Sequence, residues 1–210
     1  MGNLLSPVKL SEFRKEKLRH EFNTFYDLNG DGTLSWNDFE LAKEHTCKLN
    51  GWVAGSEKER ACGDVFNEIW EAVVAVADKD HSGSVDVDEW IRLWESTNRR
   101  VYEARKKQRP LPQLDELPMW CYRYVLHRFH LYDRTGDGVI DADEFEYTLS
   151  HFGVSPVHAR QAFLMFSENN TRRIDFAEFG RLAAQYYFSD EPSDLGNFIT
   201  GKLSFSVHSK

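Results

Sequence analysis

DKDHSGSVDVDE, residues 78–89, carries an oxygen-bearing side chain at its first, third, fifth, ninth and twelfth positions and a glycine at its sixth. Asp78, Asp80, Ser82, Asp86 and Glu89 supply those side chains, and the backbone carbonyl of Ser84 falls at the seventh position. Oxygen donors at this spacing can close around one hard divalent cation, with the terminal Glu offering both carboxylate oxygens. Gly83 provides the positive-φ turn that a short wrapping loop needs. Two further stretches repeat the pattern. DLNGDGTLSWND, residues 27–38, has Asp27, Asn29, Asp31, the carbonyl of Thr33, Ser35 and Asp38, with Gly32 at the turn. DRTGDGVIDADE, residues 133–144, has Asp133, Thr135, Asp137, the carbonyl of Val139, Asp141 and Glu144, with Gly138 at the turn.

Repetition of such a loop is the mark of the EF-hand, the helix-loop-helix calcium motif, and it predicts three bound Ca2+ ions. Asp38 is one methylene shorter than Glu and reaches an ion less readily with both oxygens, so Mg2+ is expected to compete at the first site. The neutral Thr135 should lower affinity at the third. A fourth stretch, SENNTRRIDFAE, residues 167–178, keeps Asp175 and Glu178 but offers Ser167, Asn169 and Thr171 as ligands and Arg172 where glycine belongs. Arg172 in left-handed geometry would cost about 1–2 kcal/mol. With the guanidinium groups of Arg172 and Arg173 in the role of the cation, this loop is expected to be metal-free. Its use is structural: Leu34, Val85, Ile140 and Ile174 stand at position eight of the four loops, where paired loops form a short antiparallel bridge. The third loop therefore needs the fourth.

A net charge of -8 and the absence of a basic block argue against a nucleic-acid partner. Of the 34 acidic residues, 13 lie in the three metal loops, which accounts for the sign of the charge. Cys47, Cys62 and Cys121 are odd in number and widely spaced, which suggests neither a disulfide framework nor a zinc site and fits a reducing, cytoplasmic compartment. No apolar run approaches bilayer length. The opening MGNLLS fits the N-myristoylation pattern, with Gly2 as acceptor once the methionine is removed; a plain leader is the alternative reading. One acyl chain would give marginal, reversible membrane contact.

The apolar periodicity predicts an all-α chain: four EF-hands in two paired lobes packed into a compact globule, expected to be a monomer. Residues 1–10 form the leader, 11–108 the first pair, 109–118 a linker with three prolines, 119–188 the second pair and 189–210 a tail. Leu18, Phe22, Phe25 and Tyr26 enter the first loop, and Trp36, Phe39 and Leu41 leave it; Phe145, Tyr147 and Leu149 leave the third. Ser56 and Ser155, the latter followed by Pro156, read as helix N-caps. The tail contains GNFITGKL, residues 196–203, which matches a phosphate-cradling loop until Leu203 replaces the required Ser or Thr, and no strand-loop-helix unit surrounds it. Its apolar residues suggest that it covers a groove or a lobe interface.

FNTFYDLNGDGTLSWNDFELA, residues 22–42, together with the tryptophan-rich second hand, Asp38 closing the first loop and the decayed fourth loop, resembles the calexcitins of the sarcoplasmic calcium-binding protein group. The resemblance runs from about residue 11 to 203 and implies three calcium sites in a helical globule that acts as a neuronal calcium sensor. GTP binding is attributed to calexcitins, although Leu203 weakens that alternative here. From the residues alone, sensor and buffer stay open. Only Met1, Met119 and Met165 are present, too few for a promiscuous methionine-lined groove, so a sensor would need a dedicated, unidentified protein target. The resemblance tips the reading to sensor. A chromophore-binding photoprotein relative is the remote alternative, and no catalytic constellation indicates an enzyme.

Overall fold

The structure, a computed structural model, describes residues 9–106 and 111–206; Gly2 lies outside them. In the first half α1 (Glu12–Glu21) starts where the Ser11 hydroxyl accepts from the Arg14 N–H, and it widens into a π-helical turn (Phe22–Tyr26) before the first loop. There follow α2 (Trp36–Leu49), α3 (Glu57–Ala77) and α4 (Val87–Lys106). The second half repeats the plan with α5 (Met119–Tyr132), α6 (Ala142–His151), α7 (Pro156–Phe166) and α8 (Phe176–Phe188). The described residues are all-α apart from two loop bridges. Ser56 caps α3 through the Glu59 N–H, and Ser155 precedes Pro156 at the start of α7.

The loops pair as their eighth positions require. Strands β1 (Thr33–Leu34) and β2 (Val85–Asp86) are antiparallel with Leu34 opposite Val85, and Ile140 bridges Ile174, its N–H donating to the Ile174 carbonyl at 2.9 Å. All four side chains are buried, so each bridge is the inner end of a core rather than an exposed ribbon.

Aromatic side chains join the halves. Trp94 of α4 stacks on Tyr187 of α8 with centroids 4.3 Å apart and meets Trp120 of α5 edge-on; Tyr26 packs on Tyr124. Two apolar residues expected to face the core do not: Leu41 is 46% exposed and Tyr147 40%, because each falls on the outer side of its helix.

The linker is more ordered than its prolines suggest. A 3-10 turn (Leu114–Glu116) places Leu114 against the bare backbone of Gly180 on α8, and Leu117 is buried. The tail is likewise packed. Its 3-10 turn (Leu195–Phe198) lies on α8, the ammonium of Lys17 donates to the Ser189 carbonyl and to Asn197 Oδ1, both at 3.0 Å, and Phe205 meets Phe13 edge-on. GNFITGKL is thus a packed turn. Thr200 is fully buried and Lys202 pairs with Glu16 at 3.3 Å, so its lysine is already engaged.

Candidate metal centres

Each metal loop is built by the helices on either side. The first ligand position ends the entering helix, and positions nine and twelve are the N-cap and third residue of the exiting one. In the second loop the Glu89 N–H donates to Asp86 Oδ1 at 2.7 Å and the Asp86 N–H returns to Glu89 Oε2 at 3.3 Å. In the third loop Asp141 and Glu144 exchange the same bonds at 2.8 and 3.3 Å. In the first loop Asp38 accepts from both the N–H and the hydroxyl of Ser35, at 2.9 and 2.7 Å. Capping of the exiting helix therefore positions the closing carboxylate.

The opening aspartate is held as firmly. Asp27 accepts from the N–H groups of Asp31 and Gly32, Asp78 from Ser82 and Gly83, and Asp133 from Gly136 and Gly138, all at 3.0–3.1 Å. The loops share one backbone course, with positive φ at positions four and six: Gly30 and Gly32, His81 and Gly83, Gly136 and Gly138. His81 takes the left-handed turn without a glycine, and nothing in the sequence marks it. Asn29, Asp31, Asp80, Ser82, Asp86, Thr135, Asp137 and Asp141 are exposed on the outer arc, with Thr33, Ser35, Ser84 and Val139 partly so. Hydrogen bonds from Thr33 hold the Asp31 carboxyl below its ordinary pKa, and bonds from Ser82 do the same for Asp80, so both stay ionised.

Opening and closing carboxylates are nearly inaccessible: Asp27 and Asp78 are 7% exposed, Asp133 9%, Asp38 0%, Glu89 4% and Glu144 6%. Among the described residues the nearest side-chain cation to any of these six is Arg92, itself half exposed, 3.8 Å from Glu89. Ionised carboxylates brought together and buried call for a counter-charge. In the second loop Asp78, Asp80 and Glu89 each place a carboxylate oxygen within 4.8 Å of the other two, which suits a hard divalent cation. In the first loop the Asn29 amide donates to Asp38 Oδ1 at 2.9 Å and aligns positions three and twelve.

The fourth loop resolves its charges differently. Arg172 does not take the left-handed conformation expected of it; positive φ falls instead on Glu168, Asn169 and Asn170, where the end of α7 winds into tight turns. This puts the Arg172 guanidinium between two carboxylates, donating to Glu178 and to Glu168 at 2.7 Å each. Arg181 donates to Glu178 as well, through Nε at 3.0 Å. Burial works against ionisation of Glu178, but Arg181 and Arg172 outweigh it and hold its pKa below the ordinary value. Arg173 is exposed and takes no part in this contact.

Comparison with known proteins agrees with this geometry. The profile described as EF hand matches residues 75–94 and 126–146, and that described as EF-hand domain pair matches residues 2–40. Sarcoplasmic calcium-binding proteins I, III, and IV of Branchiostoma lanceolatum are 23% identical over 92% of this chain and 98% of theirs. The chain is an EF-hand calcium-binding protein related to the sarcoplasmic calcium-binding proteins and to calexcitin. Calexcitin-1 of Caenorhabditis elegans is 25% identical to this EF-hand chain over 92% of it and 88% of calexcitin-1. The structure of a sarcoplasmic calcium-binding protein from amphioxus superposes on the EF-hand globule with a TM-score of 0.73, at 22% identity, covering 92% of this chain and 98% of that one. No helix among the described residues is long and apolar enough to cross a membrane.

Proposed function

We propose that this EF-hand protein is a cytoplasmic calcium sensor that binds three Ca2+ ions, one in each of the loops 27–38, 78–89 and 133–144, with 167–178 as a metal-free partner loop. One contrast carries the count. The first three loops bury paired carboxylates without an internal cation, whereas Arg172 bridges Glu168 and Glu178 in the fourth. Mg2+ competes at the first site, where the short Asp38 is tied to Ser35 and Asn29. Isothermal titration of chelator-stripped protein should give three ions per chain with affinities in the range of about 10⁻⁷–10⁻⁵ M typical of sensors. A fourth strong site would refute the reading of Arg172.

Relationship to calexcitin-1 supports the sensor reading, with one dedicated protein target rather than many. A buffer is the second reading, favoured by the Trp94–Tyr187 stack and the other aromatic contacts that tie the halves into one body. Backbone hydrogen exchange with and without Ca2+ separates the two. A sensor exposes a new apolar region on loading, and a buffer gains uniform protection. Acylation of Gly2, giving reversible membrane contact, belongs to the same proposal and is tested by mass spectrometry of the native N-terminus.

A further inference from the structure

The groove between α3 and α5 encloses about 530 Å3, within the range of roughly 300–1,000 Å3 usual for small-molecule sites. None of its lining residues belongs to a metal loop. Trp52, Val65 and Leu126 give it apolar walls, and Met119, 67% exposed, lies at its edge. Arg123 of α5 pairs with Glu68 of α3, while His127 meets Phe66 edge-on at 4.6 Å, so contacts advance in opposite directions along the two helices. Lys58, near the start of α3, therefore faces the His130 end of the groove, and Met119 marks the other. Lys58 makes no ion pair among the described residues, so its ammonium is available at that end in a chain of net charge -8.

His127 is the second observation. It lines the groove, is 8% exposed and has no hydrogen-bond partner among the described residues. Burial, helped by the neighbouring Arg128, pushes its pKa down to about 3, so the ring is neutral and keeps one donor and one acceptor nitrogen.

We propose that this groove binds a long-chain carboxylate, its acyl chain between Val65, Leu126 and Met119 and its head group at the end marked by Lys58 and served by the His127 N–H. The test uses full-length protein left unacylated at Gly2, titrated with dodecanoate and with dodecyltrimethylammonium, in Ca2+ and in chelator. Dodecanoate should bind saturably, one per chain, and the ammonium of equal length at least about tenfold more weakly. Ala61→Trp, which fills the groove, should abolish binding. Lys58→Glu, at an exposed residue, should weaken it about tenfold, with the circular dichroism and calcium titration of both variants unchanged. If Ala61→Trp fails to fold, Lys58→Glu decides alone. Absence of saturable binding, or dodecanoate affinity untouched by Lys58→Glu, overturns the proposal. Equal affinity for the ammonium overturns it in favour of a purely apolar occupant, such as a helix of a protein partner.

Discussion

On the proposed reading, Arg172 replaces an ion with a single side chain. Its guanidinium meets Glu178 and Glu168 and so brings loop carboxylates together around a protein cation. Arg172→Met should leave calcium stoichiometry at three and lower urea stability by about 1 kcal/mol, since the pair is only partly buried. A gain of a fourth calorimetric site would contradict this. Asp38 is the opposite case, in the proposed function a ligand too short for its position. It is fully buried and tied to Ser35 and Asn29, so Asp38→Glu should raise Ca2+ affinity at the first loop and weaken Mg2+ competition there, each by about tenfold. Calcium titrations with and without excess Mg2+ would measure both.

Helix and tail packing carries a different kind of information. A Cβ on Gly196 would lie 2.1 Å from the Leu182 carbonyl oxygen and 2.6 Å from Gln185 Cβ, a clash with backbone that no rotamer relieves. Gly196→Ala should therefore cost about 1–3 kcal/mol and speed hydrogen exchange in residues 189–206 before it does so elsewhere. His20 of α1 meets Phe205 of the tail with ring centroids 5.7 Å apart. Burial first, then the charge of Lys202, pushes its pKa down to about 4, against weaker help from Thr200 and Glu16. The folded chain thus holds His20 neutral while the unfolded chain takes up a proton near the ordinary value. Its contribution is intact above about pH 6.5 and lost as pH falls toward 4. Tail exchange in calcium-free protein should accelerate across that window, and His20→Leu should flatten the response.

Across the junction between the halves, Glu21 at the end of α1 faces Arg128 of α5 at 3.6 Å, both essentially inaccessible. Tyr187 of α8 donates to Glu21 at 2.5 Å, and Arg128 lies over the Phe25 ring and donates to the Tyr132 hydroxyl, which in turn donates to the Ile199 carbonyl of the tail. Three helices, the π-helical turn and the tail thus meet at one ion pair. Glu21→Ala strands a buried guanidinium and should cost about 3–5 kcal/mol, whereas replacing both partners by apolar residues of similar size should cost far less. Urea denaturation of calcium-free protein would show the difference, and equal losses in the two variants would mean that the pair itself is not what matters. No sequence pattern announced this contact. Glu21 and Arg128 stand 107 positions apart in stretches that read as ordinary amphipathic helix.

Short-range chemistry was written along the chain. Glycine turns, caps and the Leu34–Val85 and Ile140–Ile174 bridges depend on residues a few positions apart or on a repeat that declares its own pairing, and each could be read from spacing. What spacing could not supply were contacts made by distant segments: Leu114 on Gly180, Lys17 under the tail, Leu41 and Tyr147 turned outward, and the pairing of Arg172 with Glu168 and Glu178 in place of strain. A periodic pattern says that a helix has an apolar face, but which neighbour covers that face, and which buried charge finds a partner, depends on how all the helices pack at once.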